Sequence, residues 1–227
     1  MTLPALDAGI RDRLLAIRQR VAAACERSNR DPATVTVIAV SKTFPYEAVA
    51  AAWSAGLRDF GENRVQEGVA KAAQVQRLGL MPTWHLIGHL QRNKAKEAIR
   101  RFAILHAVDS ERLLEAIEAD ALEPVRVCLE VNVAGEATKF GVAPANVGQL
   151  AAFARSLRKV RLEGLMTVAP QDANPEAIRP VFRSLRELAS ELGLGMLSMG
   201  MSEDFEVAIE EGSTHVRIGR AIFGERA

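Results

Sequence analysis

The chain has 227 residues, of which 48% are apolar and 25% charged, with a formal net charge of +1. This balance is typical of an ordinary globular protein and gives no electrostatic case for binding nucleic acid or an acidic membrane surface. Cys25 and Cys128 lie far apart and form no C-x-x-C pair, which argues against a disulfide scaffold or a zinc module. No signal peptide pattern opens the chain, and no apolar run approaches the roughly 20 residues that span a bilayer. We therefore expect a cytoplasmic protein.

The first predicted element is an amphipathic helix over about residues 5–29, which ends at the turn formed by Asn29 to Pro32. From about residue 34 to residue 224, short apolar runs alternate with helical patterns. The predicted strands cover 34–40, 57–61, 83–88, 104–108, 125–133, 160–168, 195–200 and 214–219. The predicted helices between them cover 45–55, 63–77, 91–101, 110–121, 144–158, 175–192 and 202–211, and a short last turn, AIFGERA, follows.

Strands that alternate with helices indicate a parallel sheet built from βαβ units. Eight such repeats within this length favour a closed (β/α)₈ TIM barrel over an open, doubly wound sheet. No low-complexity linker or shift in composition marks a boundary, so we expect residues 1–227 to form a single α/β domain with one extra helix at its N-terminus. Active sites of such barrels lie at the C-terminal ends of the strands.

The first strand runs directly into a lysine in the stretch VIAVSKTFP, Val37 to Pro45. A lysine is rarely buried without a partner, so Lys42 is either a surface side chain with a buried stem or an amine whose chemistry needs shelter. Polar residues also follow other strands, among them Asn63, His89 and Asn132. Together they predict a lined pocket at the barrel mouth.

The last two strands end in loops that could hold a phosphate group, LSMGMSED and THVRIGRAIFG. Gly200 would let the backbone approach a ligand, Ser202 opens the next predicted helix, and Gly219 and Arg220 would add donors from the facing loop. The alternative for Ser202 is a plain helix N-cap. A phosphate cradle and a strand-end lysine at one barrel mouth fit a single cofactor, pyridoxal 5′-phosphate (PLP), which is held by a Schiff base and by its phosphate.

Arg217, in the last strand, is the candidate partner of the cofactor's pyridine nitrogen. A cation at this position would keep that nitrogen neutral and make the ring a weak electron sink. If Arg217 reaches the nitrogen, carbanion chemistry assisted by the cofactor should therefore be feeble.

These residues lie in blocks that resemble the YggS/PROSC family of PLP homeostasis proteins, relatives of the barrel domain of alanine racemase. The resemblance covers nearly the whole chain and rests on AVSK, FGENRVQE, WHLIGHLQRNK, EVNVAGEATKFG, GLM and LSMGMSEDFEVAIEEGSTHVRIGRAIFG. It implies a type III PLP-binding barrel in which Lys42 forms the Schiff base. It further implies phosphate contacts at Ser202, Gly219 and Arg220, and a pyridine contact at Arg217. Lys139 would lie near the phenolic oxygen, and Asn63 and His85 would line the mouth or wall.

Two positions depart from the family pattern: Arg64 replaces a usual tyrosine, and Val168 stands where the racemase has a histidine that stacks on the ring. A racemase also needs acid/base groups on both faces of its substrate. Lys42 could serve one face, but Tyr46 is better explained as a packing residue, and we expect no counterpart of the racemase's second, all-β domain after Ala227. We assign no catalytic residue and no metal ligand.

The family resemblance implies a reservoir that holds PLP in vitamin B6 homeostasis without robust turnover, with PLP-dependent apoenzymes as candidate recipients. The alternatives are a small PLP-dependent amino-acid racemase and an interaction protein that has lost the cofactor. We expect a monomer, because a closed barrel exposes no sheet edge. The basic segment 92–101 is interpreted as a solvated helix face rather than a nucleic-acid contact.

Overall fold

The strands of the chain close into a parallel barrel in a computed structural model that describes residues 3–136, 138–170 and 174–224. Each strand pairs with the next in chain order, and the eighth pairs with the first. The predicted (β/α)₈ barrel is thus confirmed. The strands are β1 Thr36–Val40, β2 Asp59–Glu62, β3 Thr83–Leu86, β4 Ile104–Val108, β5 Val125–Glu130, β6 Val160–Met166, β7 Met196–Ser198 and β8 His215–Ile218.

Helices follow the strands in the predicted order. They are α1 Leu3–Arg27, α2 Tyr46–Ser54, α3 Val65–Arg77, α4 Ala95–Ala98, α5 Glu111–Asp120, α6 Val147–Ser156, α7 Pro175–Glu191, α8 Phe205–Glu210 and α9 Arg220–Phe223. The last turn predicted from AIFGERA is therefore helical through Phe223, and residues 225–227 lie outside the described ranges. Within those ranges, no helix is long and apolar enough to cross a bilayer.

Most of the helices are shorter than the sequence indicated, and α6 begins at Val147 because residues 144–146 form a 3₁₀ turn. The segment 91–101 forms a 3₁₀ turn at Arg92–Lys94 and then the single α-helical turn of α4, because the chain must reverse before β4 begins. Helix α8 begins at Phe205 instead of Ser202. The reason is local: Asp204 Oδ1 accepts the Met201 N–H and closes a turn ahead of the helix.

The main apolar core lies between the strands and the surrounding helices. Along β5, Val125, Val127 and Leu129 belong to this core, so their side chains point outward toward the helices. Helix α1 buries Ile10, Leu14, Ile17 and Val21 and contacts α2, α8 and α9. It therefore covers the seam where β8 meets β1. Each fully buried large side chain of this kind contributes about 1.5–3 kcal/mol to stability.

The barrel interior has a different character. Its apolar part is a small, separate cluster formed by Ile104, Ala107, Cys128, Met166 and Met196. Buried polar side chains occupy other interior positions, among them His85, His106, Ser198 and Arg217. TIM barrels usually fill this space with branched aliphatic residues. A buried polar group costs desolvation free energy unless it is hydrogen-bonded, so these side chains need hydrogen-bond partners within the barrel.

Close contact between β6 and β7 provides a test of the barrel geometry. A Cβ atom added at Gly164 would lie 1.8 Å from Met196 O, which is backbone and cannot rotate away. We expect Gly164→Ala to lower the free energy of unfolding by about 3 kcal/mol or more, measured by urea denaturation. The control is Gly148→Ala in α6, where an added Cβ meets nothing within 4 Å. It should raise stability by about 0.5–1 kcal/mol. Equal stability of the two variants would contradict the observed strand contact.

Candidate cofactor-binding site

Most of the predicted site residues lie at the C-terminal end of the barrel. Lys42 follows β1 by two positions, Asn63 follows β2 directly, and Gly219 follows β8. Lys139 lies in the loop after β5, and Ser202 lies in the loop after β7. Arg217 and His85 lie within strands and are buried in the interior. The fold therefore brings the loop residues to one mouth of the barrel. It places Arg217 and His85 in the interior beneath that mouth.

Lys42 lies just beyond the end of β1. Ile38 pairs in register with Arg217, and Val40 pairs with Gly61, where an added Cβ would touch Ile38. Alternate residues of a strand share a face, so Ile38 and Val40 both face the interior, and Lys42 lies two positions beyond Val40. Its side chain is half-buried. The end of β1 thus brings Lys42 to the mouth of the barrel.

Arg217 is a buried cation with fixed partners. Its Nη1 donates to the Ser198 carbonyl oxygen at 2.6 Å and to Ser198 Oγ at 2.8 Å, and its Nη2 donates to Thr167 O at 2.8 Å. Desolvation lowers the pKa of Arg217, while Asp204 and Glu130 oppose this effect. An arginine nonetheless stays protonated in proteins. Its Nε hydrogen and one Nη2 hydrogen donate to none of the residues that the structure describes, so two of its five N–H donors are left for a ligand.

A chain of hydrogen bonds leads from Arg217 across the barrel interior. Ser198 Oγ lies 2.8 Å from His106 Nδ1, and His106 Nε2 lies 2.9 Å from His85 Nδ1. His85 Nε2 in turn lies 3.1 Å from Asp59 Oδ1. Because Arg217 can only donate and the Asp59 carboxylate only accepts, one arrangement satisfies every member: each group donates to the next toward Asp59.

This arrangement keeps both histidines neutral in defined tautomers. Burial lowers the pKa of His106 well below its ordinary value, and the neighbouring His85 adds to the effect. Burial also lowers the pKa of His215, beside them, to about 4. His85 was predicted at the mouth or wall, but its side chain is only 1% exposed and both ring nitrogens are engaged. His85 is thus linked to Arg217 through the hydrogen bonds of His106 and Ser198.

The loops after β7 and β8 face each other, as the phosphate prediction requires. Arg217 N donates to Gly200 O at 2.9 Å, and Arg220 lies 3.4 Å from Glu203 across the two loops. Gly200 has a φ of +93°, and an added Cβ there would lie 2.6 Å from Ala208 Cβ. The N-cap alternative for Ser202 is wrong, because Asp204 is the residue that precedes α8. Ser202 lies in the preceding turn, where its hydroxyl caps no described helix.

Lys139 and Asn63 complete the rim. Lys139 Nζ bonds Glu136 Oε1 at 2.6 Å and Ala169 O at 2.9 Å, which ties the loop after β5 to the end of β6. Asn63 is half-buried, and a Cβ added at Gly88 would lie 2.4 Å from Asn63 O. The loops after β2 and β3 therefore pack directly on each other. Val168, predicted beside the ring, packs against the small interior cluster.

A family model described as the alanine racemase N-terminal domain matches residues 13–227. A relative named pyridoxal phosphate homeostasis protein, from Pseudomonas aeruginosa, is 46% identical over 223 residues, which is 96% of each chain. The chain belongs to the pyridoxal phosphate homeostasis family. The family resemblance stated from the sequence blocks is thereby confirmed.

Solved structures of the same size share both fold and sequence with this family member. A protein of unknown function from Bifidobacterium adolescentis superposes with a TM-score of 0.90 at 36% identity and covers 96% of each chain. The structure of PipY from Synechococcus elongatus, with PLP bound, superposes with a TM-score of 0.80 at 36% identity. That match covers 95% of this chain and all of PipY. The barrel is thus one that carries PLP in a relative.

Glu130 is a mouth residue that the sequence analysis missed. It ends β5 on the interior side, as Cys128 does, and it is 8% exposed. Its Oε2 is buried and bonds none of the described residues. Burial raises the pKa of Glu130 to about 7, with a smaller contribution from Asp109. The signal was present in the alternation of VCLE, where Glu130 shares a face with Cys128 and opposes the apolar Val127 and Leu129.

The raised pKa of Glu130 predicts a specific pH dependence for this family member. Since its folded-state pKa exceeds the ordinary 4.5, the folded protein binds more protons between these values, and stability falls as pH rises through them. We expect Glu130→Gln to gain up to about 3 kcal/mol relative to wild type between about pH 5 and about pH 8. Urea denaturation of both apoproteins at several pH values measures this difference. His106 and His215 are present in both proteins and cancel, so parallel stability curves would contradict the prediction.

Proposed function

We propose that this chain binds PLP covalently through Lys42 and takes part in the intracellular homeostasis of vitamin B6. The observation that carries the proposal is the arrangement at one barrel mouth of three features. These are Lys42 just after β1, the facing loops at Gly200 and Gly219, and the buried Arg217 with two N–H donors left over. The PLP-bound structure of PipY, a relative at 36% identity, supports the same ligand here.

The residues fit the parts of PLP one by one. Lys42 would hold the aldehyde as a Schiff base from a rigid strand end. Ser202, Gly219 and Arg220 would hold the phosphate, since Gly200 and Gly219 let two backbones approach an anion closely. Lys139 would lie near the phenolic oxygen, and Asn63 would line the wall. Bound there, PLP supplies an electrophilic aldehyde and a ring that can delocalise negative charge.

Arg217 supports storage over catalysis. Its guanidinium is fixed by the Ser198 and Thr167 oxygens, and its hydrogen-bond chain runs away from the mouth toward Asp59. Every group in that chain donates away from the ligand, so the chain passes no proton to a ring nitrogen. A neutral ring is a weak electron sink. We therefore propose a PLP carrier without robust turnover, with a small amino-acid racemase as the alternative.

The names of the relatives agree with the storage function, since the curated proteins that match over nearly the full chain are called homeostasis proteins. We propose that the recipients are PLP-dependent apoenzymes and that the protein acts in the cytoplasm as a monomer. The two thiols fit a reducing compartment because both are buried and unlinked.

The covalent link to Lys42 has a direct test. We expect borohydride reduction of the PLP-loaded protein, followed by peptide mass mapping, to show a stable adduct on Lys42. The variant Lys42→Ala should lose the adduct and the imine-type absorbance. Lys159→Ala is the control, because Lys159 is a half-buried lysine that donates to Ala121 O away from the mouth. An adduct on another lysine, or unchanged labelling of Lys42→Ala, would overturn the assignment.

The weak electron sink has a separate test. We expect Arg217→Glu to convert L-alanine to the D-enantiomer faster than wild type, since a carboxylate would keep the ring nitrogen protonated. Chiral chromatography measures the product, with free PLP as the baseline. Arg217→Lys retains the cation and should stay at the wild-type rate. A PLP-loaded Arg217→Glu protein that remains at that rate would leave the argument from charge without support, and sustained wild-type turnover would favour the racemase.

A further inference from the structure

The backbone that carries Lys42 is a tight turn with an unfavourable residue in it. Phe44 N donates to Ser41 O at 3.0 Å, which closes a four-residue turn with Lys42 and Thr43 at its centre. Thr43 has a φ of +68°. This left-handed conformation is usual for Gly or Asn at the third position of a turn and is a real outlier for a β-branched residue. Something outside the turn must hold it.

The holding contacts come from a cluster of three charged residues, Glu62, Glu67 and Lys71, which we call the Lys71 cluster. Glu67 Oε1 accepts the Thr43 N–H at 2.6 Å. Lys71 Nζ donates to Ser41 O at 2.7 Å, to Glu62 Oε1 at 2.6 Å and to Glu67 Oε1 at 3.2 Å. These three bonds use all the hydrogens of the ammonium group.

The cluster therefore hydrogen-bonds to the main chain of the residues on both sides of Lys42. Ser41 is held directly by Lys71 and also donates from its Oγ to Glu62 Oε1 at 2.6 Å. Thr43 is held through Glu67, which lies one helical turn before Lys71 on α3. Three separate elements meet here: the end of β2, the first two turns of α3 and the turn after β1.

Two members of the cluster are buried on the outer side of the barrel wall, and the third, Glu67, is 29% exposed. The side chains of Lys71 and Glu62 are 6% and 0% exposed. A Cβ added to Gly68 on α3 would lie 3.2 Å from Glu62 Cβ, so Glu62 points toward the helix and away from the interior. Val40, two residues before Lys42, faces the interior on the opposite side of the wall. The contacts of the cluster next to Lys42 are to Ser41 and Thr43, so its influence on Lys42 would pass through these neighbours.

Stability alone is a poor reason for such a cluster. Burying the Lys71 ammonium and the Glu62 carboxylate carries a desolvation cost that apolar residues of similar volume would avoid. Strained backbone that is held by its surroundings is concentrated at functional sites. A turn that is fixed before the ligand arrives does not have to be ordered during binding, and this preorganisation favours capture.

We propose that Lys71 and Glu67 are positioning residues that hold the turn at Thr43 and so aim Lys42 into the barrel mouth before PLP binds. This inference rests on the proposed role of Lys42 as the residue that binds PLP. Neither residue contacts the ligand, and both act through the main chain at Ser41 and Thr43.

The first experiment measures the rate of PLP capture by the apoprotein, followed by absorbance. We expect Glu67→Ala to slow capture by about 10- to 100-fold, the size of effect that a small misplacement of a reacting group produces. Glu67→Gln keeps an oxygen for the Thr43 N–H and should retain most of the wild-type rate. Lys71→Met should be slow as well, whereas Lys159→Met, which loses one lysine–carbonyl bond elsewhere, should capture PLP normally.

A second measurement separates positioning from general loss of stability. Glycine adopts a positive φ without strain, so Thr43→Gly should restore capture in the Glu67→Ala background. A stability defect alone would not be rescued in this way. Failure of this rescue, or wild-type capture by both Glu67→Ala and Lys71→Met, would overturn the proposal.

Hydrogen exchange on the apoprotein tests the hydrogen bond between the Thr43 amide and Glu67 without any cofactor. The Thr43 amide should be protected in wild type and should exchange faster in Glu67→Ala, and equal exchange would refute the proposed contact. Should borohydride leave Lys42 unlabelled in wild type while exchange still depends on Glu67, the proposed function would fail and the grip on the turn would stand. If Lys42 is labelled in wild type but Glu67→Ala and Lys71→Met capture PLP at the wild-type rate, the proposed function would stand and the positioning role of Lys71 and Glu67 would fail.

Discussion

A buried guanidinium is the constraint on which the rest of the barrel interior depends. Arg217 cannot lose its proton, so its donors need acceptors, which the fold supplies for three of the five. Ser198 and Thr167 supply them from the ends of β7 and β6, and the histidine chain carries the polarity on to Asp59. The interior is therefore polar where other barrels are aliphatic, and its apolar cluster is small.

The two sides of the barrel wall carry different groups near the end of β1. The interior side of the barrel carries Arg217 and Glu130, a carboxyl whose pKa is raised by burial, and Lys42 follows the end of β1. The outer side carries the Lys71 cluster, which fixes the main chain from which Lys42 projects. In the function proposed here, the interior side would orient the ligand and the outer side would orient the residue that binds it.

Much of the architecture follows from local patterns. Short apolar runs that alternate with amphipathic segments predicted all eight strands, because a strand buried on both faces must be apolar over most of its length. The strand ends then placed Lys42, Gly219 and the loop of Ser202 at one mouth, since parallel strands all end on the same side. Helix α8 was predicted too long because the Asp204–Met201 turn competes locally with the helix. The sequence pattern does not show which of the two wins.

By itself, the sequence determined the barrel, the family and the position of Lys42 after the first strand, because each of these is encoded in contiguous residues or in their order along the chain. Only the tertiary structure decided that a chain of donors runs from Arg217 through His106 and His85 to Asp59. It also decided that Glu130 faces the interior with an oxygen that bonds none of the described residues, and that Lys71 donates to Ser41 O. The physical reason is distance along the chain. His106 and Ser198 are 92 positions apart, and Ser41 and Lys71 are 30 apart. Hydrogen bonds between such partners exist only after the strands have closed and the helices have packed.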